Sequence, residues 1–293
     1  MVLDLEGVYV PVVTPFDRNG DVDPAALAAV VERCIDAGVR GIVSCGTTGE
    51  YYALSDAERI DVMRHTHGFV AGRTQLVAGC NSGATRLAIA LARTARDIGY
   101  DALMLAAPPT SLPRAHELAA HFVAIADASG LPTILYNYPA RSGVEIGFDC
   151  LDLVAEHPLI SGIKESSGDF SRLLALRDRY GGRITIMCGS DDQAADYFFW
   201  GVRSWLAGTA NVLPRQHVDI LSASNSGDLD GARKQFEQIL PWVQYMEAGS
   251  YNQKTKLGLR HLGIDCGEVR QPLLPLSDAD AAALIEILDG VLR

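Results

Sequence analysis

The stretch Leu159-Ile160-Ser161-Gly162-Ile163-Lys164 is a short apolar run that ends in a single lysine. The run is rich in aliphatic side chains and does not alternate with polar residues, which is typical of a strand covered on both faces. A pattern with helical periodicity follows it over residues 170–180. Because a buried strand followed by a helix is the repeating unit of parallel α/β folds, recurrence of this pattern decides the fold class.

The same unit recurs eight times along the chain. Predicted strands cover residues 8–13, 42–45, 75–79, 102–105, 133–136, 160–164, 184–188 and 204–207. Predicted helices cover residues 24–37, 60–70, 85–98, 114–128, 148–156, 170–180, 191–200 and 214–224. Asp23 before Pro24, and the capping-box spacing of Ser55 and Glu58, indicate two of the helix starts.

Eight strand-then-helix units predict an α/β fold, a TIM (β/α)8 barrel, which we place over residues 1–225. Residues 226–293 show helical patterns without strands and are predicted to form a C-terminal helical appendage. A doubly wound sheet is the alternative fold. It is disfavoured because no Gly-x-Gly-x-x-Gly follows the first strand.

Composition excludes several classes of partner. The chain has 293 residues, 48% of them hydrophobic and 21% charged, as in ordinary globular proteins. A formal net charge of −11 argues against a nucleic acid or an anionic membrane as partner.

The segment Met1-Val2-Leu3-Asp4-Leu5-Glu6 lacks the basic residues of a secretory signal, and no apolar run is long enough to span a bilayer. Six scattered cysteines predict reduced thiols, and we expect a cytoplasmic protein.

Lysine is scarce in this chain. Only four of its 25 basic residues are lysines, and Lys164 is the only one in the first 233 residues. Arginine can serve in salt bridges and carboxylate clamps, but it stays protonated and cannot form an imine with a ketone. A lysine kept at the end of an apolar strand therefore predicts a Schiff-base lysine. The alternatives are a buried structural lysine paired with an acid, or chance.

Other reactive side chains are predicted at the same end of the barrel, where the chemistry of this fold takes place. Tyr136 ends the fifth strand and suits the proton carrier that carbinolamine formation requires. Thr47 and Thr48 follow the second strand in a Gly-Thr-Thr-Gly turn that can bind a carboxylate. Arg141 could bind a second carboxylate in bidentate fashion. Taken singly, the turn could be only a turn and Arg141 only a surface salt-bridge residue.

The chain resembles the family of dihydrodipicolinate synthase and N-acetylneuraminate lyase over nearly its whole length. The resemblance rests on segments that occur in family order: Val12-x-Thr14-Pro15-Phe16, Gly46-Thr47-Thr48-Gly49-Glu50, Tyr136-Asn137-x-Pro139, Gly162-Ile163-Lys164-Glu165-Ser166, Gly189-Ser190-Asp191-Asp192 and Ala210-Asn211-Val212. It implies a TIM barrel, a homotetramer, no cofactor and no metal. The substrate that it implies is a small molecule, namely a 2-keto acid or cyclic imine acid.

The resemblance also implies roles for individual residues. It makes Lys164 the imine lysine, Tyr136 the proton carrier and Thr47 a hydroxyl relay beside that tyrosine. The substrate-binding positions that it implies are Thr48, Arg141, Gly189 and Leu206. Arg141 matches the carboxylate-binding arginine of the synthase branch, which the sialic-acid lyase branch usually lacks.

Two departures from the synthase pattern bear on the substrate. Thr110 stands where that pattern has a tyrosine that crosses a dimer interface, and a threonine is too short for the same proton relay. Tyr51 stands where the synthases usually carry a small residue. We therefore expect a catabolic aldolase, dehydratase or deaminase, such as 1-pyrroline-4-hydroxy-2-carboxylate deaminase. The alternative is 4-hydroxy-tetrahydrodipicolinate (dihydrodipicolinate) synthase, which condenses pyruvate with aspartate semialdehyde.

Two other functional classes compete with this hypothesis. A metal-dependent enzyme needs clustered ligands, but His65 and His67 point in different directions on one helix. His116 and His121 are five apart on another predicted helix, where a solvated face is expected. A non-catalytic relative would have lost the chemistry, and the retention of Lys164 argues against it.

Overall fold

Eight parallel strands close into a barrel in chain order in the computed structural model, which describes residues 3–293. The strands are β1 (Gly7–Pro11), β2 (Gly41–Ser44), β3 (Gln75–Gly79), β4 (Ala102–Ala106), β5 (Thr133–Asn137), β6 (Ile160–Glu165), β7 (Thr185–Cys188) and β8 (Ser204–Leu206). All eight predicted strands are present, with ends that differ by at most two residues. The predicted TIM barrel is therefore confirmed.

Helices surround this barrel. They are α1 (Pro24–Asp36), α2 (Asp56–Val70), α3 (Thr85–Ile98), α4 (Ala115–Ser129), α5 (Pro139–Ser142), α6 (Phe148–Val154), α7 (Phe170–Tyr180), α8 (Ala194–Phe199), α9 (Pro214–Asn225), α10 (Leu229–Glu247), α11 (Tyr251–His261) and α12 (Asp278–Val291). The Asp23 side chain caps α1, and Ser55 and Glu58 form the predicted capping box of α2.

Two segments differ from their prediction by more than the position of a helix end. The segment 191–200 begins as a 3-10 turn, Asp191–Gln193, before α8 starts, because the Asp191 side chain is turned inward to accept buried hydrogen bonds. The segment after β5, which has the composition of a loop, contains the short helix α5. It starts at Pro139, a residue suited to a first helical position.

The apolar core has two parts. The larger part fills the space between the sheet and the helices. The smaller part lies inside the barrel and consists of Leu5, Tyr9, Val43, Val77, Ala102, Met104, Ile134, Tyr136, Met187 and Leu206. Because the interior is filled by side chains, the open space lies beyond the strand ends rather than in the middle of the barrel.

The C-terminal region is helical and, within the residues described, contains no strand. Helix α10 packs against α8 and α9, and α12 packs against α10 and α11. Asn252 at the start of α11 donates hydrogen bonds to the Thr47 carbonyl and the Tyr52 hydroxyl. This region therefore contacts the loop after β2. The division into a barrel of residues 1–225 and an appendage of residues 226–293 stays a prediction.

Candidate active site

A pocket of about 300 Å³ opens at the carboxyl ends of the strands. Six of the seven predicted site residues line it: Thr47, Thr48, Tyr136, Arg141, Lys164 and Gly189. The seventh, Leu206, is fully buried in the barrel interior and is not among the lining residues, whereas Gly208 is. The fold thus gathers residues from five separate loops and strand ends around one cavity.

Lys164 occupies the floor of this pocket. It lies beside Tyr136 in the register of β5 and β6, and its Nζ atom is 4.4 Å from the Tyr136 ring centroid. Within residues 3–293 no carboxylate forms a salt bridge with it. Burial lowers the pKa of Lys164, an effect that the negative charges of Asp191 and Glu247 partly oppose. A lowered pKa increases the fraction of free amine, which is the nucleophilic form.

Gly189 is required beside this lysine because there is no room for a side chain. A Cβ atom at position 189 would lie 2.6 Å from Cγ and 2.7 Å from Cε of Lys164, and it would also clash with the Ser166 hydroxyl. The glycine backbone therefore holds the lysine stem in place from the β7 side.

Tyr136 is a neutral phenol at this site. Burial, with a smaller contribution from Tyr138, raises its pKa well above 10, while Arg141 opposes the shift. The hydroxyl of Ser166 is near enough to lower the pKa of Tyr136, yet it is buried without a hydrogen-bond partner of its own among the residues described. No hydrogen bond joins the Thr47 and Tyr136 side chains within residues 3–293. A neutral phenol can donate its proton to one group while it accepts a proton from another in a relay.

A buried network fixes the ends of β5 and β6. Asn137 donates to both carboxylate oxygens of Glu165 at 3.0 Å and accepts from the Ile146 backbone at 2.9 Å. Arg172 donates to Glu165 at 2.8 Å and contacts Glu145 at 2.9 Å. Two members of the network directly follow a pocket residue in sequence, Asn137 after Tyr136 and Glu165 after Lys164, so the network fixes the backbone next to both pocket side chains.

Asp191 is a second buried acid beside the pocket, and both of its carboxylate oxygens accept hydrogen bonds. It accepts hydrogen bonds from Trp205 Nε1 at 2.9 Å, Thr209 Oγ1 at 2.9 Å and the Tyr251 hydroxyl at 3.0 Å, as well as from the Thr209 backbone. In the sequence, the Gly-Ser-Asp-Asp motif marks the position of Asp191. The preference of acids for the start of a helix does not predict that its side chain is buried and accepts these hydrogen bonds.

The C-terminal region supplies pocket residues that the sequence patterns do not indicate. Glu247, Tyr251 and Asn252 all line the cavity. They come from the end of α10 and the start of α11, far from any strand end. A periodic helical pattern cannot indicate which of its ends meets the barrel mouth, so no sequence signal identifies them.

Other regions of the molecule lack comparable chemistry. A depression of about 580 Å³ lies at the amino ends of β1 to β3 and contains no lysine. No group of three or more potential metal ligands is present in the part of the chain that the structure describes. His121 is buried and hydrogen-bonded to Thr85, so the expected solvated face is wrong for that residue. Among the described helices, none has the length and apolarity to cross a bilayer.

Comparison with known proteins agrees with this geometry. The chain matches the dihydrodipicolinate synthetase family over residues 4–290. It is 34% identical to a 4-hydroxy-tetrahydrodipicolinate synthase of Exiguobacterium sp., over 97% of each chain. The corresponding synthase of Methylacidiphilum fumariolicum SolV superposes with a TM-score of 0.95 at 31% identity, covering 99% of this chain and 96% of that one. A chloride-inhibited dihydrodipicolinate synthase from Acinetobacter baumannii, in complex with pyruvate, gives 0.95 at 32% identity, covering 98% and 99%. This chain therefore belongs to the dihydrodipicolinate synthetase family of Schiff-base-forming lyases.

Proposed function

We propose that this lyase forms an imine between Lys164 and a small 2-keto acid, and that pyruvate is this acid. The observation that carries the proposal is a buried lysine with a lowered pKa, without a carboxylate partner in the described chain, at the floor of an open pocket. The complex of the Acinetobacter baumannii synthase with pyruvate supports the choice of acid.

The proposed chemistry begins with attack of Lys164 Nζ on the keto carbon. The resulting carbinolamine must lose its hydroxyl as water, which requires a proton at that oxygen. Tyr136, a neutral phenol, supplies this proton and takes up another through the relay in the same step, so no phenolate accumulates at the site. In this proposal Thr47 assists the relay, while Thr48 and the Gly189 backbone hold the keto-acid carboxylate.

The second substrate meets Arg141 at the pocket mouth. Arg141 is an exposed residue that forms no salt bridge within residues 3–293, and its guanidinium packs over the Tyr138 ring at 5.6 Å. A carboxylate of the second substrate is the ligand that an arginine in this setting binds best. The relatives named above favour condensation of pyruvate with aspartate semialdehyde, the synthase reaction.

A catabolic reaction, such as deamination of 1-pyrroline-4-hydroxy-2-carboxylate, is the second candidate. Thr110 favours it: this residue is exposed, with a left-handed φ of +74°, and offers no phenol to the relay.

We also propose a cytoplasmic homotetramer. Exposed Phe199 and Trp200 at the end of α8 are apolar side chains suited to a subunit contact.

A substrate comparison tests the choice of reaction. Purified protein is assayed with pyruvate plus aspartate semialdehyde and, separately, with 1-pyrroline-4-hydroxy-2-carboxylate. For the synthase we expect kcat/KM within the usual enzyme range of about 10⁴–10⁸ M⁻¹s⁻¹. A value far below this range, with fast deamination of the cyclic imine acid, would reverse the assignment. Absence of any borohydride-trapped adduct with pyruvate would contradict the imine itself.

A further inference from the structure

One buried hydroxyl at the pocket has no hydrogen-bond partner. Among the buried side-chain atoms that lack such a partner within residues 3–293, the Ser166 hydroxyl oxygen is the only one whose residue lines this pocket. The residue is buried, with 7% of its surface exposed. Burial of an unpaired polar group costs stability, so this hydroxyl is not explained by a contribution to the fold.

The backbone holds Ser166 on the same side of the sheet as Lys164. Ser166 directly follows β6 and is two positions after the lysine, and alternate side chains along a strand point to the same face. The Ser166 backbone N–H donates to the Asn137 carbonyl of β5 at 2.9 Å. On the other side, the Gly189 N–H donates to the Glu165 carbonyl, also at 2.9 Å. The chain that carries the hydroxyl is therefore fixed by both neighbouring strands.

The Ser166 hydroxyl lies between the lysine and the phenol of the pocket. A Cβ atom at Gly189 would clash with this hydroxyl and would lie 2.7 Å from Lys164 Cε, so the hydroxyl and the end of the lysine stem are neighbours. Tyr136 is the other neighbour, since the Ser166 hydroxyl is near enough to lower the pKa of that phenol. The lysine Nζ atom is in turn 4.4 Å from the Tyr136 ring centroid. A hydroxyl in this position can accept a proton from one neighbour while it donates its own to the other.

We propose that Ser166 is a further catalytic residue, whose hydroxyl passes a proton from the Lys164 nitrogen to the Tyr136 phenol. The inference rests on the proposed imine chemistry and deepens it, because it assigns the group that reprotonates the phenol from the side of the lysine. Ser166 thus adds a second hydroxyl to the one that Thr47 is proposed to supply.

The relay acts when the neutral carbinolamine loses water. The bond between the carbon and the hydroxyl oxygen breaks, and this oxygen leaves as water with the proton of Tyr136. The Ser166 proton passes to the Tyr136 oxygen, and the proton on the Lys164 nitrogen passes to the Ser166 oxygen. The nitrogen lone pair forms the second bond to carbon, and the electrons of the broken N–H bond stay on the nitrogen. Both hydroxyls are restored, and a neutral imine and one water molecule are the products.

The variant Ser166→Ala removes only the hydroxyl and tests the proposal by a rate and a stability together. We expect imine formation with pyruvate, followed by rapid-quench borohydride trapping, to slow by about 10- to 100-fold, the size of a hydrogen bond to a charged group. The melting temperature should stay the same or rise, because the lost hydroxyl has no partner. An unchanged rate would overturn the assignment. A clear fall in melting temperature would do the same, since it would show a structural role.

Two other serines supply matched controls for the loss of a hydroxyl. Ser161→Ala makes the same change near the opposite end of β6, and it should leave the trapping rate at the wild-type value. Ser167→Ala removes the next hydroxyl along the chain, which accepts a hydrogen bond from the Asp169 backbone at 3.2 Å and so is already paired. We expect a much smaller effect on the trapping rate than from Ser166→Ala. An equal loss would mean that the polarity of this loop, rather than a specific proton transfer, sets the rate.

A double variant tests whether Ser166 acts through the phenol. Once Tyr136→Phe has removed the phenol, the serine has no group to reprotonate. We therefore expect Tyr136→Phe combined with Ser166→Ala to trap pyruvate within about threefold of the rate of Tyr136→Phe alone, since members of one catalytic unit have non-additive effects. A double variant whose loss is the product of the two single losses would contradict the relay.

The failures of the two proposals can be told apart. If borohydride traps pyruvate on Lys164 of wild-type protein but Ser166→Ala reacts as fast, the assignment of Ser166 is wrong and the imine stands. If wild-type protein forms no adduct with pyruvate, the proposed function fails, and the relay with it. Ser166→Cys keeps a transferable proton in a side chain of similar shape and should react faster than Ser166→Ala. A cysteine variant that is no faster than the alanine variant would overturn the proton transfer.

Discussion

Three lysines are buried in this molecule, and two of them, Lys164 and Lys256, have opposite surroundings. Lys164 is 6% exposed and Lys256 is 1% exposed. Lys256 forms a salt bridge with Glu50 at 2.8 Å, donates to the Glu268 carbonyl at 3.0 Å and lies over the Phe16 ring. Lys164 faces a pocket. Within the described residues it forms no salt bridge and no side-chain hydrogen bond, and it lies over the ring of Tyr136.

The difference separates two uses of a buried cation. Burial lowers the pKa of both lysines, and Glu50 opposes the shift at Lys256 by pairing with it directly. A paired ammonium holds two segments together and stays protonated, whereas an unpaired one loses its proton more readily and becomes a nucleophile. Burial and scarcity in the sequence therefore do not distinguish the lysine that we propose to be reactive; a missing partner beside an open cavity does.

The largest expected effect comes from replacing the unpaired lysine. Lys164→Arg keeps a cation but removes the amine, so trapping by pyruvate and borohydride should disappear. Turnover should fall by about 10⁴-fold or more, as when a covalent nucleophile is removed. Mass spectrometry of wild-type digests should locate the adduct on the Lys164 peptide. An adduct on the Lys256 peptide, or one that survives in the variant, contradicts the distinction between the two lysines.

The sequence predicted the barrel because a strand buried on both faces leaves a strong local signal. Eight apolar runs without alternation, each followed by a helical pattern, allow few other architectures. Because strand ends in a barrel converge, the sequence alone was enough to place Lys164, Tyr136 and the Thr47-Thr48 turn near each other. Their chemical roles remain predictions, which trapping and kinetics test.

The pairing of acids with bases could not be predicted in the same way. Lys256 and Glu50 are 206 positions apart, and nothing in their local sequences relates them. The same holds for Glu247, which reaches the pocket through a left-handed corner at Gly249 and Ser250. Such contacts depend on how helices pack on the barrel, and helical periodicity carries no information about which end meets which loop.

Replacing the paired lysine should affect stability rather than chemistry. Lys256→Met leaves Glu50 as a buried charge without its partner, which we expect to lower the free energy of unfolding by about 3–5 kcal/mol. Urea unfolding followed by circular dichroism measures it. Glu50→Gln combined with Lys256→Met removes both charges and should recover much of the loss. Reduced pyruvate trapping in a fully folded Lys256→Met protein would place this lysine in the reaction instead.

Removing the Tyr136 hydroxyl beside Lys164 sharpens the comparison of the two lysines. Within the described chain, Lys256 has no tyrosine beside it in a pocket. Tyr136→Phe deletes only the hydroxyl, so the ring contact with Lys164 and the fold should persist. Loss of a general acid–base group should lower kcat by about 10²–10⁴-fold. Stopped-flow measurement should show that imine formation itself has become slow. Nearly unchanged turnover would reduce Tyr136 to a packed aromatic residue.

The smallest expected effect concerns the second substrate at the pocket mouth. Arg141→Ala removes a guanidinium that forms no salt bridge in the described chain, so stability should change little, unlike the loss of a paired charge such as Lys256. We expect KM for the larger, carboxylate-bearing substrate to rise by about 10- to 100-fold, the range for a charge-assisted hydrogen bond. Pyruvate trapping at Lys164 should stay within a few-fold of wild type, since that step needs only the amine and the proton carrier. Steady-state kinetics and the trapping assay on the same preparation separate the two steps. An equal loss in the kinetic assay and in the trapping assay would contradict a role of Arg141 in binding the second substrate. It would mean that Arg141 shapes the pocket as a whole, and that its charge acts on Lys164 rather than on the substrate.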